Sequence, residues 1–559
     1  MELVFVYVEE HKILKNIGTS FSSNYKTTYV DNVLKIVGAE DKTFDYYRGC
    51  NIKAIVGQNG TGKSSILDFI ETSCSKYTES SGFIVWYDYD ERVFLVHDLN
   101  DTLKEVRVEC CSDYKVVKNN KRYLINTETK IFKINNISSV GLYGLNKKTS
   151  NVVDYSLGTQ SKYRGKKRTV NLGRMLNFFN NSEWLKSKQA GYKYVFEFKL
   201  PSSTIRKWVF SLLDEINKDL SEKELKSKNR AYEMELFELE PIFYAKDSIS
   251  VEDIFQGLLK RNIFSFVRAM PSMRITSSKT ADSICIELIN SGVLLERINN
   301  KKIIDIVKLV HERCSKDTRT GIYDLFDYNE ILDLHFSRFL DSLMNVSHAI
   351  ADAIALQSKG YADKLESNNY ECIINLLDSF TALHTSIVNN FNYGWEGFST
   401  GELAKLNIFS SLYNIYSEFE GRNALIIVDE VDLFLHPEWQ RTFLNELVSF
   451  IEGTNFNAKL QIILTTHSPI IIGDFLPKDI VSLRLNEDNI PVIVDSYGFG
   501  TGITESYILG MHIKSTYGEL SRLKLSELIN NKIKGVLSDK DKIFIEQISN
   551  AELKESMLK

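Results

Sequence analysis

Eight consecutive residues carry the clearest chemistry in this 559-residue sequence: Gly57-Gln58-Asn59-Gly60-Thr61-Gly62-Lys63-Ser64. Their spacing is G-x-x-x-x-G-K-[ST]. Glycines permit positive φ and let successive backbone N–H groups close around phosphate oxygens. The ammonium of Lys63 reaches the terminal phosphates as a point charge, and the Ser64 hydroxyl suits Mg²⁺. Ile52, Ala54, Ile55 and Val56 read as a buried strand entering the loop, and Ile66, Leu67, Phe69 and Ile70 as the buried side of a helix leaving it. The start of that helix adds its positive end to the cradle. A chance glycine-rich turn would need neither flank. The residues expected to touch nucleotide here are Gly57, Gln58, Asn59, Gly60, Thr61, Gly62, Lys63, Ser64 and Ser65.

Leu425-Ile426-Ile427-Val428-Asp429-Glu430 is an apolar run closed by two acids. A parallel strand buried on both faces reads as a continuous apolar run. That puts Asp429 and Glu430 at its carboxyl end, where α/β sheets bind ligands. Asp429 is expected to hold Mg²⁺ through water, and Glu430 to polarise the attacking water. A strand ending in Asp-Glu is common by itself, and its force comes from pairing with Lys63. Another apolar strand, 461–464, runs into Thr465-Thr466-His467-Ser468-Pro469. A single histidine is more often a satisfied structural one. His467 lies roughly forty residues beyond Asp429, room for one helix between adjacent strands, which points it to the γ-phosphate or the attacking water. Phe398-Ser399-Thr400-Gly401-Glu402 opens a further helix, with Leu403, Leu406, Leu412 and Ile415 on its expected buried face. Ser399 as N-cap and Glu402 three residues on form a capping box. The same bare N–H groups, with Gly401 among them, offer a positive dipole end to an anion. Here that anion would be a γ-phosphate held by a second subunit.

The elements that must position these residues fall into three textures. Residues 1–150 are strand-rich: 3–8, 33–37, 53–56, 83–87, 93–96, 105–108 and 137–142 are β-branched or aromatic runs between turn residues, with one helix at 63–77. From about 205 to 390 the periodicity is helical, as in Trp208, Leu212 and Ile216, in Ile303, Ile306 and Val310, and in Ile331, Leu334, Phe339 and Leu343. Pro241 and Pro271 punctuate this stretch. After 424 short apolar strands alternate with helices, and beyond 500 the chain is helical and polar. The plan is a nucleotide-binding domain split by an inserted middle: 1–204, an insertion at 205–390, a second half at 391–500 and a tail at 501–559.

Taken together, the four stations at 57–64, 398–402, 425–430 and 467 resemble the ATP-binding-cassette (ABC) ATPases. The likeness is to the soluble branch with SMC-like, RecF-like and OLD-like members. Asp429-Glu430-Val431-Asp432-Leu433-Phe434-Leu435-His436-Pro437 is similar to that branch's D-E-x-x-x-x-L-H-P segment, and Thr466-His467-Ser468-Pro469 to its T-H-S-P. The resemblance implies an α/β P-loop NTPase of ABC-head type, a split head with mixed β-sheets and a helical insertion. It implies ATP and Mg²⁺ as ligands and a homodimer or higher oligomer formed through the heads. Lys63, Ser64, Asp429, Glu430 and His467 would serve one nucleotide, while Ser399, Gly401 and Glu402 reach the other. The segment from Asp432 to His436 would lie near the dimer seam. Thr400 and Glu402 depart from the transporter signature, and for the family's glutamine loop Gln160 is the one weak candidate. The insertion lacks sustained heptads and reads as a compact helical domain for dimerisation or partner docking.

A narrower resemblance is to the ATPase subunit of Septu-type anti-phage systems, which also occurs beside retron reverse transcriptases. It rests on the opening Leu3–Val8 and Ile13-Leu14-Lys15-Asn16-Ile17-Gly18, on Tyr393-Gly394-Trp395-Glu396-Gly397 before the signature, and on Tyr497-Gly498 and Tyr517-Gly518-Glu519-Leu520 in the tail. It implies a separate HNH nuclease as partner, with a reverse transcriptase and retron DNA in some systems.

No nuclease is expected within the chain itself. The residues after His467 must finish the head, and the nine histidines contain no close metal-ligand set. Asp539 and Asp541 read as a solvated charged turn, and His335 with Arg338 as a surface pair. Net charge is −5, so a globally basic nucleic-acid binder is excluded. Locally, Lys162-Tyr163-Arg164-Gly165-Lys166-Lys167-Arg168 packs cations densely enough to contact a phosphate backbone, although a solvated loop explains it as simply. Lys115, Lys118, Lys121 and Arg122 form a weaker group. Apolar residues are 43% and charged 25%, which excludes a disordered or low-complexity chain. The cysteines (Cys50, Cys74, Cys110, Cys111, Cys285, Cys314, Cys372) form no C-x-x-C pair and read as buried reduced thiols. The opening MELVFVYVEEHK does not read as a signal peptide, and no apolar stretch is long enough to span a bilayer, so a cytoplasmic protein is expected.

Three functions fit these residues. The first is an ATP-driven regulatory subunit of a defence complex that restrains a nuclease. The second is a repair or chromosome-maintenance ATPase that binds DNA directly through 162–168. The third is a scaffold that binds ATP without turning it over, which Glu430→Gln would separate from the other two.

Overall fold

Continuous burial marks the strands that meet at the phosphate loop. Asn423–Asp429 is buried at every position, and Asn51–Gly57 and Lys459–Thr466 at nearly every one. The computed structural model describes residues 1–39, 46–72, 80–117, 120–136, 151–160, 165–181, 192–243, 249–295, 297–317, 328–356, 358–454, 458–513 and 515–558. The chain divides into two compact units. One comprises the described parts of Met1–Asn135, Gly141–Asp154 and Glu420–Lys559, and the other those of Asn136–Val140 and Tyr155–Phe419.

The first unit contains a seven-stranded sheet ordered Val152–Asp154, Thr129–Asn135, Asn423–Asp429, Lys459–Thr466, Asn51–Gly57, Ile480–Leu485, Pro491–Val494. Neighbours are parallel except for the last pair. Strands from both ends of the sequence therefore share one sheet, and the strand leading into the phosphate loop lies inside it. Parallel pairing aligns the carboxyl ends: Val56 faces Thr466, and Asn135 faces Asp429. A second, five-stranded sheet is built from Leu14–Ser20, Glu2–His11, Ser81–Asp88, Val93–Leu99 and Tyr114–Val117. The helix Lys63–Thr72 buries Ile66, Leu67, Phe69 and Ile70 in one cluster with Leu3, Val6 and Val8 of the second sheet and Ile55, Ile427 and Ile463 of the first. Each such side chain contributes about 1.5–3 kcal/mol on leaving water, so the helix that carries Lys63 and Ser64 is held by a dry interface.

The second unit is not purely helical. Around Val251–Ala269 and Tyr328–Ala355 it carries a four-stranded antiparallel sheet ordered Lys359–Tyr361, Lys364–Ser367, Lys193–Phe198, Phe391–Glu396. Lys193–Phe198 alternates half-buried and buried residues, the period of a strand with one dry face. The boundaries read at 204/205 and 390/391 both fall inside this unit, which takes in Gly165–Asn181 and Thr400–Glu418 as well. Burial also departs from the expected faces. Leu334 and Ile216 are exposed, while Ile303, Phe339 and Leu343 are buried.

Most of the early strands appear where their β-branched runs lie. The run at 105–108 begins instead as a short 3₁₀ turn, Thr102–Glu105, before the strand Arg107–Cys110. The expected strand at 137–142 and the far end of the helix at 63–77 lie outside the described residues, as does Cys74. The remaining cysteines are unbridged. Cys285 and Cys372 are buried as expected, whereas Cys111 is exposed and Cys50, Cys110 and Cys314 are half-buried. In the tail, Asp539 and Asp541 open the helix Asp539–Glu546, with Asp541 closing a capping box on Ser538 rather than sitting in a turn. Among the described residues no helix is long and apolar enough to cross a membrane.

Candidate active site

The phosphate loop leaves its strand at Gly57, where φ is 147°. A Cβ there would stand 2.3 Å from the Leu483 carbonyl oxygen and 2.8 Å from Thr61 Oγ1, so the neighbouring strand reserves this position for glycine. Gly62, at φ 94°, would bring a Cβ to 2.4 Å from Leu14 Cδ2. Within the loop, Thr61 Oγ1 donates to the Gln58 carbonyl at 2.8 Å, and Gln58 Nε2 donates to the His512 carbonyl at 2.6 Å. Asn59, Gly60 and Ser64 face solvent and Ser65 is half-buried. Lys63 Nζ arches back to the carbonyls of Gly57 and Gln58, both at 3.0 Å. Burial pushes its ammonium down to about 8, against the opposing pull of Glu430, Asp429 and Asp432. Those three acids lie close enough to Lys63 to act on its charge.

Asp429 closes the strand Asn423–Asp429. Its Oδ1 accepts the Ser64 hydroxyl at 3.2 Å and the Thr465 hydroxyl at 2.6 Å, and its Oδ2 accepts Asn135 Nδ2 at 3.3 Å. The chain then turns sharply. Glu430 sits at φ 52°, its N–H donating to Thr465 Oγ1 at 2.7 Å, and Val431 N–H donates to the Thr465 carbonyl at 3.0 Å. Burial raises the Glu430 carboxyl, with Asp429 and Asp432 adding to the effect and Lys63 opposing it. Asp432 accepts the Thr466 hydroxyl at 2.6 Å and the His467 N–H at 2.9 Å, which ties the acidic turn to the histidine. Burial and then Lys63 push the His467 ring below its ordinary value, against Asp432 and Asp429. Ser468 caps the short helix Pro469–Ile472, and His436 caps Pro437–Glu452.

Lys63, Ser64, Asp429, Glu430 and His467 thus meet at the carboxyl ends of three neighbouring parallel strands. The donor set suits Mg²⁺. A hydroxyl and a carboxylate 3.2 Å apart are hard oxygen ligands, and Mg²⁺ completes such a site with water and substrate phosphates rather than an all-protein cage. Among the described residues no group of three or more His, Cys, Asp or Glu side chains gathers as a metal cluster.

Ser399, Gly401 and Glu402 lie in the second unit. The capping box read from their spacing is present: Glu402 N–H donates to Ser399 Oγ at 3.3 Å, and Ser399 N–H donates back to Glu402 Oε2 at 2.9 Å. The helix Thr400–Glu418 is buried on nearly all sides from Ala404 to Leu412, whereas Leu403 is only half-buried. The box has an unexpected partner. Tyr192 donates its phenol to Glu402 Oε1 at 2.6 Å, and its ring stacks on Phe398 with centroids 4.0 Å apart.

The structure also places the remaining sequence readings. Gln160 is engaged inside the second unit, donating to Asn407 Oδ1 at 3.0 Å and accepting from Asn171 at 2.9 Å. Positions 161–164 of the basic segment lie outside the described residues. Its last residues belong to the helix Gly165–Asn181, and Arg168 lies over the Tyr393 ring and donates to the Tyr393 carbonyl at 3.0 Å. Lys118 is outside the described residues, and Lys115 pairs with Glu91. Three residues of the site were missed as functional. Asn135 reaches Asp429 through a strand pairing distant in sequence. Thr465 and Thr466 stood in the quoted motif, and two adjacent hydroxyls at a strand end were the available signal.

Two protein-family models match the chain. A model described as an AAA domain matches residues 29–252, which include the phosphate loop. Another, described as "AAA domain, putative AbiEii toxin, Type IV TA system", matches residues 317–473, which include Ser399, Asp429, Glu430 and His467. Each of the two models matches less than half of the chain. The chain is also similar to two curated proteins over short stretches. It is 35% identical over 71 residues to the Septu protein PtuA of Bacillus thuringiensis, covering 13% of this chain and 16% of that protein. It is 44% identical over 48 residues to the Retron Vc95 probable ATPase of Vibrio cholerae serotype O1 biovar El Tor, covering 9% of this chain and 8% of that protein. The matched stretches are thus a small part of either relative.

Proposed function

We propose that this chain binds ATP with Mg²⁺ around Lys63 and hydrolyses it, as the regulatory ATPase of an anti-phage defence complex. In this reading the heads are of ABC type and two copies pair, so that Ser399, Gly401 and Glu402 reach the nucleotide of a second copy. A separate HNH nuclease is the subunit under control, with a reverse transcriptase and its retron DNA as further partners. The observation that carries the catalytic part is the Ser64 hydroxyl 3.2 Å from Asp429, beside the buried Lys63 ammonium and the Glu430 carboxyl. The defence part is supported by the likeness to PtuA and the retron ATPase.

Hydrolysis joins a water oxygen to the γ-phosphorus and breaks that atom's bond to the β,γ-bridging oxygen, whose electron pair leaves with ADP. The water's proton passes to Glu430. A carboxyl raised by burial is a better proton acceptor than an exposed one. Lys63 offsets negative charge on the phosphates as the bridging bond lengthens. Ser64 and Asp429 would hold Mg²⁺, which when bound neutralises charge across the β- and γ-phosphate oxygens. The His467 ring would offer an N–H or a lone pair to the γ-phosphate or the water.

Fluorescent-ATP titration and phosphate release test this. Lys63→Ala is expected to lose nucleotide binding, and Glu430→Gln to keep binding while losing turnover. Unchanged ATP affinity in Lys63→Ala would falsify the site. A negligible wild-type rate that Glu430→Gln leaves unaltered would favour a non-hydrolysing scaffold.

A further inference from the structure

Thr465 is wholly buried at 0% exposure, yet its hydroxyl has two partners and both are acids of the neighbouring strand end. Oγ1 donates to Asp429 Oδ1 at 2.6 Å and accepts the Glu430 N–H at 2.7 Å. A hydroxyl has one proton and two lone pairs, so one atom satisfies both contacts in a single orientation. The bonds are not redundant. The first aims the Asp429 carboxylate. The second holds the Glu430 backbone at φ 52°, a left-handed conformation that costs a residue with a Cβ about 1–2 kcal/mol. The Thr465 carbonyl takes the next N–H, that of Val431. Threonine's branched Cβ restricts χ1 in a strand, which keeps the hydroxyl direction fixed.

We propose that Thr465 is a positioning residue for hydrolysis: its hydroxyl sets the metal-side carboxylate of Asp429 and the water-side residue Glu430 in one shared register. This rests on the ATPase reading above. The Asp429 carboxylate cannot rotate away, nor the Glu430 backbone leave its turn, without breaking a bond to the same oxygen. The adjacent Thr466 repeats the device one step on, gripping Asp432, which in turn holds the His467 N–H.

The test compares full-length wild type with Thr465→Val, which keeps the shape, and Thr465→Ser, which keeps the hydroxyl. Hydrogen exchange at the Glu430 amide is measured without nucleotide. Binding of a fluorescent ATP analogue is measured in EDTA and in Mg²⁺, and turnover is followed across Mg²⁺ concentrations. In Thr465→Val the Glu430 amide should exchange about tenfold faster. Analogue affinity in EDTA should stay within about twofold, while the Mg²⁺ needed for half-saturation rises and kcat falls about 10–100-fold. Thr465→Ser should restore all three towards wild type. Thr465→Ala carries the same expectations as valine should valine prevent folding. Wild-type exchange, Mg²⁺ dependence and kcat in a folded valine or alanine variant would overturn the proposal, as would a serine variant as impaired as valine. If wild type shows no turnover above Glu430→Gln, the ATPase reading fails by itself, and the exchange and EDTA/Mg²⁺ binding comparisons still decide whether the hydroxyl holds the two acids.

Discussion

Asp479→Asn should destabilise the first unit while sparing the phosphate loop's chemistry. Lys53 lies within the strand Asn51–Gly57, and its side chain is 3% exposed, against 2% for Asp479. Their charged atoms are 2.5 Å apart, with the Lys478 carbonyl 3.3 Å from the same ammonium and the Ser23 hydroxyl 3.3 Å from the same carboxylate oxygen. Burial pushes the Lys53 ammonium down, and Asp479 is the main influence that restores it. Asparagine preserves shape but takes away the carboxylate paired with that buried ammonium. Breaking a buried pair from one side costs about 3–5 kcal/mol. At about 2.1 cal/mol/K per residue over a unit of roughly 290 residues, the midpoint should fall by about 5–8 °C. Thermal melts followed by circular dichroism read this directly. The double variant Lys53→Met with Asp479→Leu removes both charges and should be less destabilised than the two single changes summed. ATP-analogue binding in the cold should survive in Asp479→Asn, because the pair lies behind the loop rather than in it. A midpoint within about 1 °C of wild type, or strict additivity in the double variant, would refute the argument that this strand is held by a compensated buried charge.

Two further substitutions address the loop and the signature. Gly57→Ala would drive a Cβ to 2.3 Å from the Leu483 carbonyl at φ 147°, so ATP affinity should fall by more than about tenfold with the far-UV spectrum retained; wild-type affinity would mean the strands give way. Tyr192→Phe removes the phenol that donates to Glu402 but leaves the ring to stack on Phe398, so the second unit should lose about 1 kcal/mol in denaturant melts and turnover should fall several-fold at unchanged ATP affinity. Unchanged turnover would confine the phenol to folding.

What could be read from the sequence alone is what depends on neighbours along the chain. The phosphate loop is such a case: glycine conformations, a strand before and a helix after are all set within about twenty residues. The Ser399–Glu402 capping box is another, and it forms at the spacing that anticipated it. The apolar run ending in Asp429 and Glu430 announced a doubly buried strand, and its burial is complete. Other features arise where segments distant in sequence pair or pack, and local patterns do not encode which partner is chosen. Asn135 meets Asp429 only because Thr129–Asn135 lies parallel to Asn423–Asp429. Tyr192 meets Glu402 across more than two hundred residues. Arg168, in a basic run that the sequence leaves open between a phosphate contact and a solvated loop, is drawn onto Tyr393. The helix after Ser399 was given one buried face and has nearly all sides covered, because packing in the second unit rather than its own periodicity decides its surroundings. Thr465 stands between these cases: its type and place at a strand end were visible, but only the parallel register that sets Lys459–Thr466 beside Asn423–Asp429 puts one hydroxyl within reach of both acids.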